Sequence, residues 1–211
     1  MMQCRSLLHA QQARVLKMLR SADAMTFFRA WLSNPLSVGA VAPSSKSLAY
    51  LITNDLNPLN GPVLELGPGT GVFTDALIRG GVMERDLTLV ELESAFAKLL
   101  AARYPQATVL TQNAAYLEGP NPSSVSKYGV IVSGLPLLSL SPGTVVRILI
   151  RAFALSRNDA AFYQFTYGWR CPVPKAILER LDLHAIRIGT VFSNLPPASV
   201  YKIVRNTIAK G

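Results

Sequence analysis

Nine residues, Val63-Leu64-Glu65-Leu66-Gly67-Pro68-Gly69-Thr70-Gly71, constrain the fold more than any others in the chain. Val63 to Leu66 make a short apolar run of the kind expected for a strand buried in a parallel sheet. Three glycines follow within five positions, and beyond them Phe73, Ala76 and Leu77 share one face of a helix running from Val72 to Ile78. Strand, glycine turn and helix form the first half of a βαβ unit. The turn needs glycine because the backbone reverses sharply and a ligand must approach it closely, where a Cβ would collide. Free N–H groups at the start of the helix add donors beside the turn. Glu65 interrupts the apolar run, and a buried carboxyl needs a partner.

The spacing excludes two other glycine turns. It lacks the third glycine of the dinucleotide-binding G-x-G-x-x-G, and no Lys-Ser or Lys-Thr pair follows as in a P-loop. The nine residues resemble motif I of class I S-adenosylmethionine methyltransferases. The resemblance makes Glu65, Gly67, Gly69, Thr70 and Gly71 cofactor-binding candidates; a glycine turn that binds nothing is the alternative. Leu87 to Glu91 reads as a second strand, and an acidic residue at its end accepts hydrogen bonds from both ribose hydroxyls. Capping of the next helix, Ala95 to Arg103, suits Glu93 better than Glu91. Thr108 to Thr111 reads as a third strand leading into Gln112-Asn113-Ala114. The class usually carries an Asp facing the adenine amine here; Asn113 still offers an acceptor oxygen. Ala114, and Ser133 at the end of a fourth strand beginning at Val130, join the cofactor set.

That fourth strand runs into Gly134-Leu135-Pro136-Leu137-Leu138. Ligands of open α/β sheets bind outside the carboxyl ends of the strands. Amine methyltransferases acting on bases place an Asn-Pro-Pro-aromatic or Asn-Leu-Pro-Tyr turn here. In this chain Gly134 stands for the Asn and Leu137 for the aromatic, so backbone acceptors at Gly134 and Leu135 remain without a stacking platform. Tyr167 ends a fifth strand from Ala161 to Gly168. Its hydroxyl is placed to hydrogen-bond an amine or a lipid phosphate, and its ring to attract a methylated ammonium; the alternative is a half-buried core tyrosine. Gly134, Leu135 and Tyr167 are the catalytic candidates. Val145 to Leu155 reads as a helix. Strands at His184 to Phe192 and Ser199 to Val204 form the antiparallel pair that closes a seven-stranded sheet. The expected fold is a Rossmann-like α/β methyltransferase.

A formal net charge of +9 and a pI near 9.9 favour an anionic partner, either nucleic acid or an anionic membrane. Between Arg14 and Thr26 the pattern is amphipathic, with Val15, Met18, Leu19, Ala22 and Met25 on one side. Arg14 and Lys17 lie opposite, Arg20 lies near them, and Phe28 and Trp31 follow. Such a helix suits a membrane interface or the surface of a domain. Asn34-Pro35 ends it, dividing the chain into a basic helical segment, 1–34, and a methyltransferase domain, 35–211. Ser44 or Ser45 is placed to cap the helix through Leu48, Leu51 and Ile52, and the segment containing Ser44 is a candidate wall of the substrate entrance. No uncharged apolar stretch reaches the length of a spanning helix, and no signal peptide is evident. Cys4 and Cys171 make no metal spacing, so a cytoplasmic protein without a metal is expected.

From about Phe27 to Val204 the chain resembles the soluble bacterial phospholipid N-methyltransferases, which are similar in their core to ribosomal RNA adenine dimethyltransferases. The resemblance rests on Val38-Gly39-Ala40-Val41-Ala42-Pro43-Ser44, on motif I, and on Ser133-Gly134-Leu135-Pro136-Leu137-Leu138. Gln164-Phe165-Thr166-Tyr167-Gly168 and Asn194-Leu195-Pro196-Pro197-Ala198 add to it. It implies successive methyl transfers from S-adenosyl-L-methionine to phosphatidylethanolamine, towards phosphatidylcholine, with S-adenosyl-L-homocysteine as by-product. It also implies an N-terminal helix bound to anionic lipid, so that a monomer held peripherally on the inner face of the cytoplasmic membrane is expected. Asn113 and Gly129 depart from the usual Asp at their positions. Two alternatives stay open: an RNA adenine N6-dimethyltransferase-like enzyme, which shares the charge and the core, and a non-catalytic binding module.

Overall fold

The computed structural model describes residues 42–56, 61–118, 127–167, 169–192 and 197–206. The expectations placed on Arg14, Lys17, Arg20 and Trp31 lie outside the described residues, as does the side chain of Ser44. The helix α1, Ala42–Asp55, begins two residues ahead of Ser44. Ser44 therefore sits inside its first turn and is not the cap.

Seven strands form one sheet in the order β3-β2-β1-β4-β5-β7-β6. They are β1 Val63–Leu66, β2 Leu87–Glu91, β3 Thr108–Thr111, β4 Tyr128–Ser133, β5 Ser156–Tyr167, β6 Leu183–Val191 and β7 Ala198–Arg205. The first five run parallel; β7 is antiparallel to both β5 and β6. This is the Rossmann-like seven-stranded fold expected above. Helices follow the strands: α2 Val72–Arg79, α3 Ser94–Arg103, α4 Pro142–Ala154 and α5 Lys175–Arg180.

Alternation along the central strands sends side chains to two cores. Val63, Val130, Val132, Tyr163 and Phe165 pack with Leu48 and Ile52 of α1 and Phe73 and Leu77 of α2. Leu64, Leu66, Ile131 and Phe162 pack with Val145, Ile148 and Leu149 of α4. A short β1 buried on both faces explains why its run is continuously apolar except at Glu65. The cost of ordering α1 is offset partly by a polar tie: Asp55 Oδ2 accepts from Tyr163 Oη at 2.7 Å and from Lys202 Nζ at 2.9 Å.

β5 starts at Ser156, five residues earlier than the sequence pattern suggests. Residues Arg157 to Asp159 carry no strand-like alternation. Their backbone is held from outside: Arg205 of β7 donates to the carbonyls of Arg157 at 2.6 Å and Asn158 at 3.3 Å. Among the described residues no helix is long and apolar enough to cross a membrane.

Candidate active site

The strand order reverses between β1 and β4, because β2 continues from β1 on one side and β5 from β4 on the other. Loops from β1 and β4 leave in opposite directions there and open a crevice at the carboxyl edge. The crevice has a volume of about 540 Å³, and its wall includes Gly67, Gly69, Glu91, Asn113, Ala114, Gly134 and Leu135. Seven residues singled out from the sequence thus come together from the ends of four strands.

Gly67, Gly69 and Gly71 all have positive φ, at 68°, 55° and 83°, a conformation that glycine adopts without steric cost. The end of α3 holds this turn from behind. Arg103 Nη1 donates to the Thr70 carbonyl at 3.0 Å, and Arg103 also pairs with Asp75. The one hydroxyl proton of Tyr104 is shared between Asp75 Oδ1 at 2.7 Å and the Gly71 carbonyl at 3.2 Å. Burial and the Asp75 carboxylate push the Tyr104 phenol up, so it stays a donor. Thr70 and Gly71 lie outside the crevice wall and shape the turn from its far side.

Glu91 ends β2 and is 8% exposed. Its Oε2 accepts the Gly69 N–H at 3.0 Å, and its Oε1 accepts the Glu93 N–H at 2.9 Å. Each oxygen keeps a lone pair for a ligand hydroxyl, and the carboxylate is fixed before any ligand arrives. Glu93 occupies the N-cap position of α3 without a side-chain capping bond; its backbone serves Glu91 instead. Glu91→Ala should weaken binding of a ribose-bearing cofactor by about 1.5–3 kcal/mol, the range for hydrogen bonds to a charged group. Calorimetric titration checks this; an unchanged Kd would remove Glu91 from the site.

Asn113 Oδ1 accepts the Ala115 N–H at 2.9 Å and caps the turn Ala114–Tyr116. One lone pair and the amide nitrogen are left for a ligand. Glu65 stands behind the glycine turn, fully buried, with Oε2 accepting from Thr74 Oγ1 at 2.7 Å and Oε1 without a partner. Loss of hydration, reinforced by the charges of Asp75 and Glu91, pushes its carboxyl up to about 8. Ser133 is buried too, and its Oγ accepts the Leu135 N–H at 3.3 Å.

The turn after β4 is held closely against the glycine turn. Gly134 N–H donates to the Leu66 carbonyl at 2.8 Å, and a Cβ at Gly134 would lie 2.5 Å from the Gly67 carbonyl oxygen. The Leu135 carbonyl receives two hydrogen bonds, from the Leu137 N–H at 2.9 Å and from Gln164 Nε2 at 3.0 Å. Among the described residues no donor reaches the Gly134 carbonyl. Leu137 is 2% exposed and belongs to the core beneath α4.

Tyr167 is not in the crevice wall. It packs against the core shared with α1 and α2, edge-on to Phe165 at a ring separation of 6.0 Å, and burial pushes its phenol up. The sequence reading missed Phe96, Leu140, Thr144 and Ile148, which complete the apolar wall. Ser141-Pro142 was the available signal for two of them. Ser141 Oγ accepts the Thr144 N–H at 3.2 Å and starts α4, which sets Thr144 and Ile148 one turn apart on the same face.

The family model described as "Ribosomal RNA adenine dimethylase" matches residues 45–166. A search of curated protein sequences gives no match. Among solved structures, a TehB-like SAM-dependent methyltransferase from Corynebacterium glutamicum is similar at TM-score 0.61 and 15% identity, covering 88% of this chain and 99% of that one. Magnesium protoporphyrin IX methyltransferase from Synechocystis PCC 6803, with bound SAM, gives TM-score 0.60 and 16% identity over 93% and 97% of the two chains. The glycopeptide N-methyltransferase MtfA complexed with SAM gives 0.58 and 13%, covering 77% of this chain and 94% of that one. At these identities the likeness is one of fold.

Proposed function

The chain belongs to the ribosomal RNA adenine dimethylase family, whose members are S-adenosyl-L-methionine-dependent methyltransferases, and we propose that the amine it methylates is that of phosphatidylethanolamine. Its cofactor is S-adenosyl-L-methionine, which supplies the methyl group on a sulfonium centre. The crevice residues fit that molecule in kind: open backbone at Gly67 and Gly69, a fixed carboxylate at Glu91 for hydroxyls, an amide at Asn113 and apolar walls at Phe96 and Ile148.

One observation carries the choice of acceptor. Position 134 has no room for the Asn side chain that base-directed enzymes place there, since any Cβ meets the Gly67 carbonyl. At position 137 the side chain turns into the core and leaves no ring to stack on a base. An amine carried on a flexible chain asks for neither feature. Of the two backbone acceptors considered from sequence, the Leu135 carbonyl has both lone pairs engaged, so the reading assigns the amine to the Gly134 carbonyl. Methyl transfer then depends on a deprotonated amine aligned with the methyl carbon, which is chiefly a matter of positioning. In this reading Tyr167 packs on Phe165 in the core beneath α1 and α2 and is assigned no contact with the amine. Residues 1–34 are assigned to docking on the inner face of the cytoplasmic membrane, with Arg14, Lys17, Arg20 and Trp31 meeting anionic lipid, and 35–211 to catalysis.

The family match favours a second reading, N6-dimethylation of an RNA adenine, and the charge of +9 suits it equally. Radiolabelled S-adenosyl-L-methionine offered in parallel to anionic vesicles containing phosphatidylethanolamine and to ribosomal RNA separates the two. Label in mono-, di- and trimethylated lipid is expected; label in RNA alone would establish the second reading.

A further inference from the structure

We propose that Gln164 is the positioning residue for the amine acceptor: it locks the peptide of Leu135 so that the Gly134 carbonyl is the acceptor left open. The inference rests on the amine reading above. Gln164 of β5 lies directly beside Ser133 of β4 in the sheet register, and its side chain is 1% exposed. Both protons of its Nε2 go to backbone carbonyls, that of Leu135 at 3.0 Å and that of Phe165 at 2.8 Å. Turning the amide over would set its oxygen against those two carbonyl oxygens, so its neighbours decide its orientation. Ser133 Oγ takes the Leu135 N–H at 3.3 Å. Side chains from two adjacent strand ends therefore grip both polar groups of one residue in the turn.

The arrangement leaves Gln164 Oε1 buried with no donor. A position that required only packing would carry Leu or Met and avoid that desolvation cost. Here an unpaired oxygen accompanies two donors delivered to the turn. With the Leu135 carbonyl saturated by Gln164 and by the Leu137 N–H, an N–H of the substrate has the Gly134 carbonyl as its acceptor. A turn that slips moves this acceptor relative to the methyl group, and a displacement of that kind lowers the rate of an aligned transfer steeply.

The test compares the full chain with its Q164M and Q164E variants, using phosphatidylethanolamine vesicles and S-adenosyl-L-methionine. It reads kcat, the Kd for S-adenosyl-L-methionine, the Tm and the pH profile. Gln164→Met should lower kcat about tenfold with the Kd unchanged, because Gln164 is not in the crevice wall. Gln164→Glu should be worse at pH 8, where a carboxylate opposes two carbonyls. Its activity as a fraction of wild type should recover as the pH falls, because a protonated carboxyl again donates to Leu135. The wild-type rate should fall over the same range, because its substrate amine becomes protonated. A wild-type kcat in Q164M, or a kcat loss matched by an equal loss of cofactor affinity, would overturn the assignment. Wild-type enzyme that labels RNA and no lipid would overturn the amine reading and this inference with it.

Discussion

Gly134→Ala should lower methyl transfer by about 100-fold or more, although it adds a single methyl group. The added Cβ would stand 2.5 Å from the Gly67 carbonyl oxygen, a backbone atom that cannot rotate out of the way. Relief requires the two turns to part. Gly134 N–H is bonded to the Leu66 carbonyl and Gly67 N–H to the Val90 carbonyl, so parting strains β1 against both of its neighbours. Overpacking of this sort costs about 1–3 kcal/mol. Part of it falls on the cofactor site, because Gly69 follows Gly67 in the same turn and must keep its bond to Glu91. A folded Gly134→Ala protein is therefore expected, with a lowered Tm, weakened cofactor binding and a larger loss in kcat. Gly134→Asn carries the same Cβ and should be no better, so it should not acquire activity on an adenine amine. Wild-type kcat and cofactor Kd in Gly134→Ala would show that the turns are free to separate, and would remove the argument against an Asn-type site.

The sheet and the crevice were legible in the sequence because each is marked by a local signal. Continuous apolar runs mark strands covered on both faces, and the glycines and Glu91 mark a switch point whose ligand contacts come from strand ends. The supports of the crevice were not legible in the same way. Gln164 reaches a carbonyl 29 positions away, and Arg103 one 33 positions away. Neither contact leaves a trace in local pattern; each depends on how far β5 and α3 run before they stop. The saturation of the Leu135 carbonyl follows from one of these contacts, and it is what narrows the proposed acceptor from a pair of candidates to Gly134. Tyr167 illustrates the reverse case. Alternation along β5 puts Tyr163, Phe165 and Tyr167 on one face and Gln164 on the other, a period that local sequence carries. The start of β5 at Ser156 could not be read from Arg157-Asn158-Asp159, since it is Arg205, nearly fifty residues on, that holds the carbonyls of Arg157 and Asn158.

Glu65 carries the second large effect, and it acts through pH. Its carboxyl is fully buried, with one oxygen on Thr74 and the other unpaired. Desolvation is the main cause of its rise to about 8 from an ordinary 4.5, opposed by the Thr74 hydrogen bond and assisted by the charges of Asp75 and Glu91. Below pH 4.5 the group is protonated in both folded and unfolded chains and contributes no pH dependence. Between 4.5 and 8 the unfolded chain has released the proton and the folded chain retains it, so stability falls as pH rises, by about 1.4 kcal/mol per unit. Above 8 both forms are ionised and the loss is complete. Gln at this position imitates the protonated acid and cannot ionise. Urea denaturation of wild type and Glu65→Gln from pH 5 to pH 8 should give curves that diverge, the variant gaining about 4 kcal/mol relative to wild type across the range. All other titrating groups are common to both proteins, so the difference isolates Glu65. If the proposed site sets the positive charge of S-adenosyl-L-methionine beside the glycine turn, the cofactor should stabilise the wild type more than the variant at pH 8, because a nearby cation favours the ionised carboxyl. Parallel stability curves would mean that Glu65 is ionised at neutral pH with a partner that the unpaired Oε1 does not show, and the glycine turn would then rest on a charge rather than on a hydrogen-bonded acid.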